Sequence, residues 1–377
     1  MTKNVVISSH VLLPGASHAL RDYIIKKGKV NLLFISLPLI TQEHLFVENY
    51  TNGKKELKDR RKKINLNIIE YIYELVYILW FSIIFSKKID VFFGVDPLNA
   101  FAGLILKRFG KVSKVVFYGI DFVPKRFENN VINALFHFIE KIVVKQSDEV
   151  WNVSPRIAEG RRKYLKIDDK KFLQKTVPIG IDKITRKKSD KVNYKMIFIG
   201  HLLEKQGLQL VIDALPNILM KVPDLKLIII GGGEFENVLK GRVRSLKLGN
   251  TANFLGWIQD RKIIANEMMR SDIGIACYKP EKDRLTNFTY YADPTKIKDY
   301  LSFGLPVLTT NVPYNAREIS SAGCGFVVEY RKESIEKVII GFYKNRSQIA
   351  EKKKQAYLYI EKSTWKRIFD KATNEII

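Results

Sequence analysis

The chain has 377 residues, more than one core usually organises, so two domains are expected. With 46% hydrophobic residues, each half can bury a core of its own. The 64 Lys+Arg against 39 Asp+Glu give a net charge of +25, which favours an anionic partner: nucleic acid, a phosphorylated small molecule or an anionic membrane surface.

The N-terminal stretch "MTKNVVISSHVLLPG" is a short apolar strand followed by Pro and Gly, without the long apolar core of a signal peptide, so a cytoplasmic protein is expected. Further strands are expected at 30–36, 91–95, 114–119 and 149–154, with helical stretches between most of them. The segment "INLNIIEYIYELVYILWFSIIFSKK" (64–88) is the most apolar stretch. Its uncharged run from Leu75 to Ser86 is too short to cross a hydrocarbon core of roughly 30 Å, so a core or interfacial helix is expected. The basic block "NGKKELKDRRKK" precedes it, and two readings stand side by side: attachment to the anionic inner face of a membrane, or a solvated face.

A second series of strands follows the basic stretch 182–193, at 195–200, 226–233, 253–258, 273–278, 306–310 and 325–330. Strands alternating with helices predict an α/β fold of two Rossmann-like domains in tandem, each a parallel sheet covered on both faces. The expected boundaries are 1–180, 181–355 and a closing helix 356–377 packing back on the first domain, with a linker near 176–193. Cys277 and Cys324 stand in no metal-type or CxxC spacing and are expected to be buried free thiols.

Ligands of open parallel sheets bind beyond the carboxyl ends of the strands, so the informative residues should follow each strand. "IGHLLEKQG" places His201, Lys205 and Gln206 after the strand at 195; "GGGEF" places Gly232 after the next; "FLGWI" places Trp257 and Ile258 after the third. In "DPTKIKDYLSFGLPVL", Asp293–Gly304 reads as a helix that opens on Pro294 and Thr295, carries Lys296 and Asp299, and can hold an anion at its N-terminus. Taken singly, each of these residues reads equally well as a turn glycine, a capping histidine or a solvated charge.

Their order resembles the donor-binding half of retaining glycosyltransferases of the GT-B fold, family 4, whose run is a glycine-ended strand, a basic loop, GxG, an F-x-G turn and a "P-x-K-x-x-E-Y" helix before "G-x-P-V". The resemblance implies two domains facing across a cleft and transfer of a sugar from a nucleotide-diphosphate sugar to a glycan or lipid-linked acceptor, in surface polysaccharide or glycolipid assembly. It implies no cofactor and no metal. Lys205, Pro294, Thr295 and Lys296 would hold the diphosphate, Asp299 the ribose, and the turn at Trp257 and Ile258 the base, with Gly15, His201, Gln206 and Gly232 also on the donor. In the first domain, Asp121 would join Lys205 as catalytic, and His18, Lys125 and Arg126 would meet the acceptor.

The chain departs from that family where His201 and Gln206 replace the usual arginine and lysine, and where Tyr291 stands for the glutamate that contacts the transferred sugar. Other readings are an epimerase or phosphorylase on the same fold, or a basic nucleic-acid binder. No helix-turn-helix, zinc or RNP-like signature supports the last.

Overall fold

The structure, a computed structural model, describes residues 2–11, 15–38, 44–51, 53–62, 68–168, 170–182, 184–185, 192–281 and 284–377. The chain divides into two compact units. The first comprises Met1–Ile179, Leu285–Ala292 and Trp365–Ile377; the second comprises Gly180–Arg284 and Asp293–Thr364. Most of the basic stretch 182–193 and Lys63 lie outside the described residues.

In the first unit the strands are β1 (Lys3–Val11), β2 (Val30–Pro38), β3 (His44–Thr51), β4 (Lys54–Lys62), β5 (Ile89–Val95), β6 (Val112–Gly119), β7 (Glu149–Asn152) and β8 (Gln174–Thr176). They form one sheet in the order β4-β3-β2-β1-β5-β6-β7-β8. From β2 to β8 the pairings are parallel, and both faces are covered, which is why β1 and β5 read as unbroken apolar runs. Val5, Val6, Ile7, Phe92 and Phe93 are fully buried in its core. Helices α1 (Ala16–Lys27), α2 (Ile68–Phe85), α3 (Pro97–Arg108), α4 (Asn130–Gln146) and α5 (Pro155–Gly160) make the crossovers.

The sequence reading holds no β3 or β4, and takes the basic block 54–63 as a charged prelude to α2. Residues 54–62 are instead an antiparallel edge strand paired with β3. Strand "KKELKDRRK" has no apolar alternation to betray it. An edge strand needs none, since charge on an edge keeps other chains from pairing with it.

In the second unit β9 (Lys195–Ile199), β10 (Lys226–Ile230), β11 (Ala252–Gly256), β12 (Ile273–Ala276), β13 (Val307–Thr310) and β14 (Gly325–Val328) form an all-parallel sheet in the order β11-β10-β9-β12-β13-β14. The chain reverses direction across the sheet at β9 and β12, the position where such sheets hold ligands. Helices α6 (Leu208–Leu219), α7 (Glu236–Ser245) and α8 (Arg261–Met269) belong to this unit. The short α9 (Phe288–Tyr291) lies in the segment that packs on the first unit, and α10 (Thr295–Ser302), α11 (Ala316–Ser321), α12 (Lys332–Lys344) and α13 (Arg346–Ile360) return to the second.

Helix α14 (Trp365–Thr373) is part of the first unit, packed on α1: the Tyr23 ring meets Phe369 at 5.5 Å and the Tyr23 hydroxyl donates to Asp370 at 2.9 Å. Cys277 and Cys324 are buried free thiols.

Candidate functional site

In the second unit the loops after β9 and β10 are built on glycines whose Cβ would meet backbone. Gly207 has φ +72°, and a Cβ there would lie 1.7 Å from the Cys277 carbonyl oxygen. Gly231 has φ +137°, and its Cβ would meet the Gly200 carbonyl oxygen at 2.0 Å. The two loops therefore press backbone to backbone, and side chains are confined to their rims.

Lys296, in the first turn of α10, reaches into this framework. Its ammonium donates to Gln206 Oε1 at 2.6 Å and stands over the Phe198 ring at 4.3 Å and the Tyr278 ring at 5.3 Å. Burial lowers it to about 7, against a small opposing effect from Cys277. It is thus an amine held in apolar surroundings and only partly charged near pH 7, and a bound anion would favour its charged form.

Helix α10 begins at Thr295 with Pro294 at its N-cap, one residue later than the sequence reading, and no side chain caps its first amides. Asp293, read from sequence as part of this helix, is instead a buried ion-pair partner of Lys298, which is itself buried and needs a counter-charge. The open N-terminus of α10 and the Lys296 ammonium together form an anion-binding arrangement.

One turn on, Asp299 is crowded by protein yet its side chain is open to solvent. The crowding pushes its carboxyl up to about 6, partly offset by Arg261 and reinforced by Asp182. A carboxylate so placed is ionised at neutral pH and accessible to a ligand.

Trp257 is 60% exposed beyond β11, with its ring 6.1 Å from that of the exposed His201, and Ile258 follows it half-buried. Lys205 lies in a short 3-10 turn, half-buried, with its ammonium unpaired among the described residues. Gly232 sits between Gly231 and Gly233, and a Cβ on Gly233 would lie 2.5 Å from the Leu202 carbonyl oxygen.

The first unit holds the remaining predicted residues. Gly15 is the exposed N-cap of α1, and the loop before it lies outside the described residues. His18 is half-buried against Phe34 at 5.2 Å, and its imidazole is lowered by burial and by Arg21. Asp121 follows β6 and accepts from the Arg126 guanidinium, which also covers the Phe136 ring at 4.9 Å. Lys125 pairs with Glu128 at 2.7 Å. Tyr291 is fully packed: its ring meets Phe122 at 5.1 Å, and its carbonyl accepts from Ser154. Placed on the sequence among the donor residues, Tyr291 is found in the first unit, with its side chain committed to packing.

Two buried ion networks were not foreseen. At the carboxyl end of β1, His10 Nδ1 meets Asp96 Oδ2 at 2.5 Å and its Nε2 meets Glu74 Oε2 at 2.9 Å. Burial opposes the imidazolium, but the two carboxylates outweigh it and push His10 up to about 10. Asp96 also caps α3 at the Asn99 amide and adopts φ +106°, a conformation that side chains rarely tolerate.

In the second network Arg161, fully buried, donates to Glu140 at 2.8 Å, Asn152 at 2.7 Å and Gln174 at 2.9 Å. His137 joins Glu140 at 2.8 Å and the Pro124 carbonyl at 2.9 Å, which pins the loop bearing Asp121. These partners lie up to 86 positions apart, so no spacing signalled them.

Comparison with known proteins bears on this geometry. Residues 181–361, nearly half of the chain, match the model of the family "glycosyl transferases group 1". That stretch carries Lys296, Gln206, Asp299 and the open end of α10.

A poly(glycerol-phosphate) alpha-glucosyltransferase of Bacillus subtilis is 27% identical over 171 residues, covering 45% of this chain and 24% of the relative. An uncharacterized glycosyltransferase of Methanocaldococcus jannaschii is 29% identical over 129 residues, covering 34% of this chain and 29% of the relative. The chain thus matches about a quarter of the length of these curated relatives.

Among solved structures, sucrose-phosphate synthase from Thermosynechococcus elongatus superposes with a TM-score of 0.72 at 12% identity, covering 99% of this chain and 98% of the other. The Anabaena protein HepE in complex with UDP gives 0.69 at 13% identity, covering 99% of both chains. TarM of S. aureus, solved with alpha-GlcNAc-glycerol and UDP, gives 0.60 at 14% identity, covering 87% and 64%. The fold is accordingly GT-B, two Rossmann-like α/β units, with a mixed sheet in the first.

Proposed function

We propose that this protein is a retaining glycosyltransferase of family 4, moving a sugar from a nucleotide-diphosphate sugar to a glycan or lipid-linked acceptor in surface polysaccharide or glycolipid assembly. The observation that carries this reading is the Lys296 ammonium held beside the uncapped start of α10, inside the stretch that matches the glycosyltransferase family. Uridine diphosphate sugars are the first donors to try, since HepE and TarM are solved with UDP.

In this reading the diphosphate lies against the amides of Thr295 and Lys296 and the Lys296 ammonium, with Lys205 closing on it as charge develops. Asp299 accepts from the two ribose hydroxyls, and Trp257 with Ile258 supports the base. The bond from the anomeric carbon to the phosphate oxygen breaks as the bond to the acceptor oxygen forms on the same face. The departing phosphate oxygen takes the acceptor's proton. These cations and amides meet the charge on the leaving group, so the proposal involves no metal. Asp121 is assigned, with Lys205, to catalysis, and His18, Lys125 and Arg126 to the acceptor.

Thermal shift and calorimetry with UDP, GDP, ADP and their sugars test the reading. One diphosphate is expected to stabilise the protein by about 2.7 kcal/mol at a hundred times its dissociation constant. Asp299→Asn is expected to weaken that nucleotide by roughly 1.5–3 kcal/mol. Lys205→Ala is expected to lower turnover by about 10²-fold while leaving the fold intact. Absence of any shift across the panel would overturn the donor site, and an inverted product anomer by NMR would overturn retention.

A further inference from the structure

On α2 the outward residues Ile72, Val76, Trp80, Ile83 and Ile84 recur at helical spacing and are all more than half exposed, with Trp80 at 61%. On α4, Val131, Leu135 and Phe138 form a second exposed stripe. The two stripes are joined by an apolar groove of about 230 Å³ that Ile72, Leu135, Leu98, Phe101, Phe136 and Ile139 line. Single exposed apolar side chains are ordinary, but a continuous face on two helices marks a contact surface.

Cations lie beside α2, on β4 and at its C-terminal end, although Lys55, Lys58 and Arg61 also pair with Glu48, Glu56 and Asp59. Arg61 of β4 stands over Tyr77 of α2 at 5.8 Å, and Lys54, Lys55, Lys58 and Arg60 lie along the same exposed edge strand. Lys111 donates to the Ile83 carbonyl at 2.8 Å, near the C-terminal end of α2.

We propose that the α2–α4 face seats on the surface of an anionic lipid bilayer, with the apolar stripes in the hydrocarbon boundary and the cations among the headgroups. Charge complementarity selects this occupant. A second copy of the chain would bring two like-charged rims together, and a nucleic acid offers nothing to the apolar stripes.

Helix α2 lies on the surface rather than across it. Tyr77, Ile78 and Phe81 are buried in the core of the unit, Glu74 is tied to His10, and no described helix is long and apolar enough to span. This inference goes beyond the glycosyltransferase reading and does not depend on it.

The test is flotation of the full chain with vesicles of phosphatidylcholine alone and of phosphatidylcholine mixed with phosphatidylglycerol, at low and raised salt. Wild type is expected to float only with the anionic vesicles, and less at raised salt. Trp80→Glu combined with Ile83→Glu is expected to lower binding by about tenfold or more with an unchanged melting curve.

A second measurement needs no disruptive change: brominated lipid should quench the fluorescence of wild type, and Trp80→Phe should remove most of that quenching. The proposal is overturned by equal flotation of wild type and the double variant, by no flotation with anionic vesicles at low salt, or by equal quenching of wild type and Trp80→Phe. It is likewise overturned if the face mediates only self-association, lost in the double variant, without vesicle binding.

Discussion

The two sheets hold their carboxyl-end loops in different ways. In the second unit the loops are fixed by backbone against backbone, with Gly207 and Gly231 admitting contacts that a Cβ would forbid. In the first unit the corresponding loops are fixed by buried ions: His10 between Asp96 and Glu74, and Arg161 among Glu140, Asn152 and Gln174. Backbone fixing leaves the loop rims free for ligand groups such as Lys296. Fixing by ions commits the charges to each other and leaves mainly Asp121, Arg126 and Lys125 near the surface.

If that contrast is right, the first unit should be the more vulnerable to loss of a single charge. Glu140→Gln leaves the Arg161 guanidinium buried without its counter-ion, and a loss of about 3–5 kcal/mol is expected in urea unfolding. A loss below about 1 kcal/mol would show that the network is not what fixes the Asp121 loop.

The second unit's loops should be vulnerable to a methyl group, as the first unit is at Gly94, where a Cβ would lie 2.2 Å from the Ala100 backbone. Gly207→Ala is expected to cost more than about 2 kcal/mol, since it adds a backbone clash to the left-handed strain. Gly110→Ala, at φ +73° with open space around it, is the control and should cost about 1–2 kcal/mol from conformation alone. Equal costs at the two positions would remove the close-approach argument.

The ligand end of the contrast is sharpened by pH. Lys296, at about 7 when the site is free, must be charged to meet a diphosphate, so binding takes up a proton. Nucleotide affinity should therefore fall as pH rises above 7, by up to about tenfold per pH unit until the bound-state value is reached. Lys296→Met should weaken binding by about 10–100-fold and flatten this profile. A profile in Lys296→Met that still falls above pH 7 would assign the proton to another group.

The same contrast explains what could be read from the sequence. Strands β9 to β14 announce themselves as apolar runs, and Lys296 and Asp299 share one local motif, while their partner Gln206 lies 90 positions from Lys296 in a second motif. His10, Glu74 and Asp96 come from three separate segments, and in the sequence Glu74 only interrupts an apolar run. Strand β4 escaped because its side chains are chosen for an edge rather than for a core. Tyr291 was placed by its distance from Asp299, and distance along the chain could not show that the backbone leaves the second unit between Leu285 and Ala292.

That excursion, together with the return of Trp365–Ile377 to the first unit, affects the order in which the protein is made. Residues 1–179 leave the ribosome first, yet Phe122 and Gly160 lack Tyr291, and α1 lacks α14, until the second unit has been synthesised. At about 5–20 residues per second this leaves the first unit unfinished for roughly ten seconds or more, with the surfaces meant for those segments uncovered. The second unit, whose sheet begins at β9, can complete before the first. The threading of the chain therefore predicts that the first unit reaches its final packing after the second.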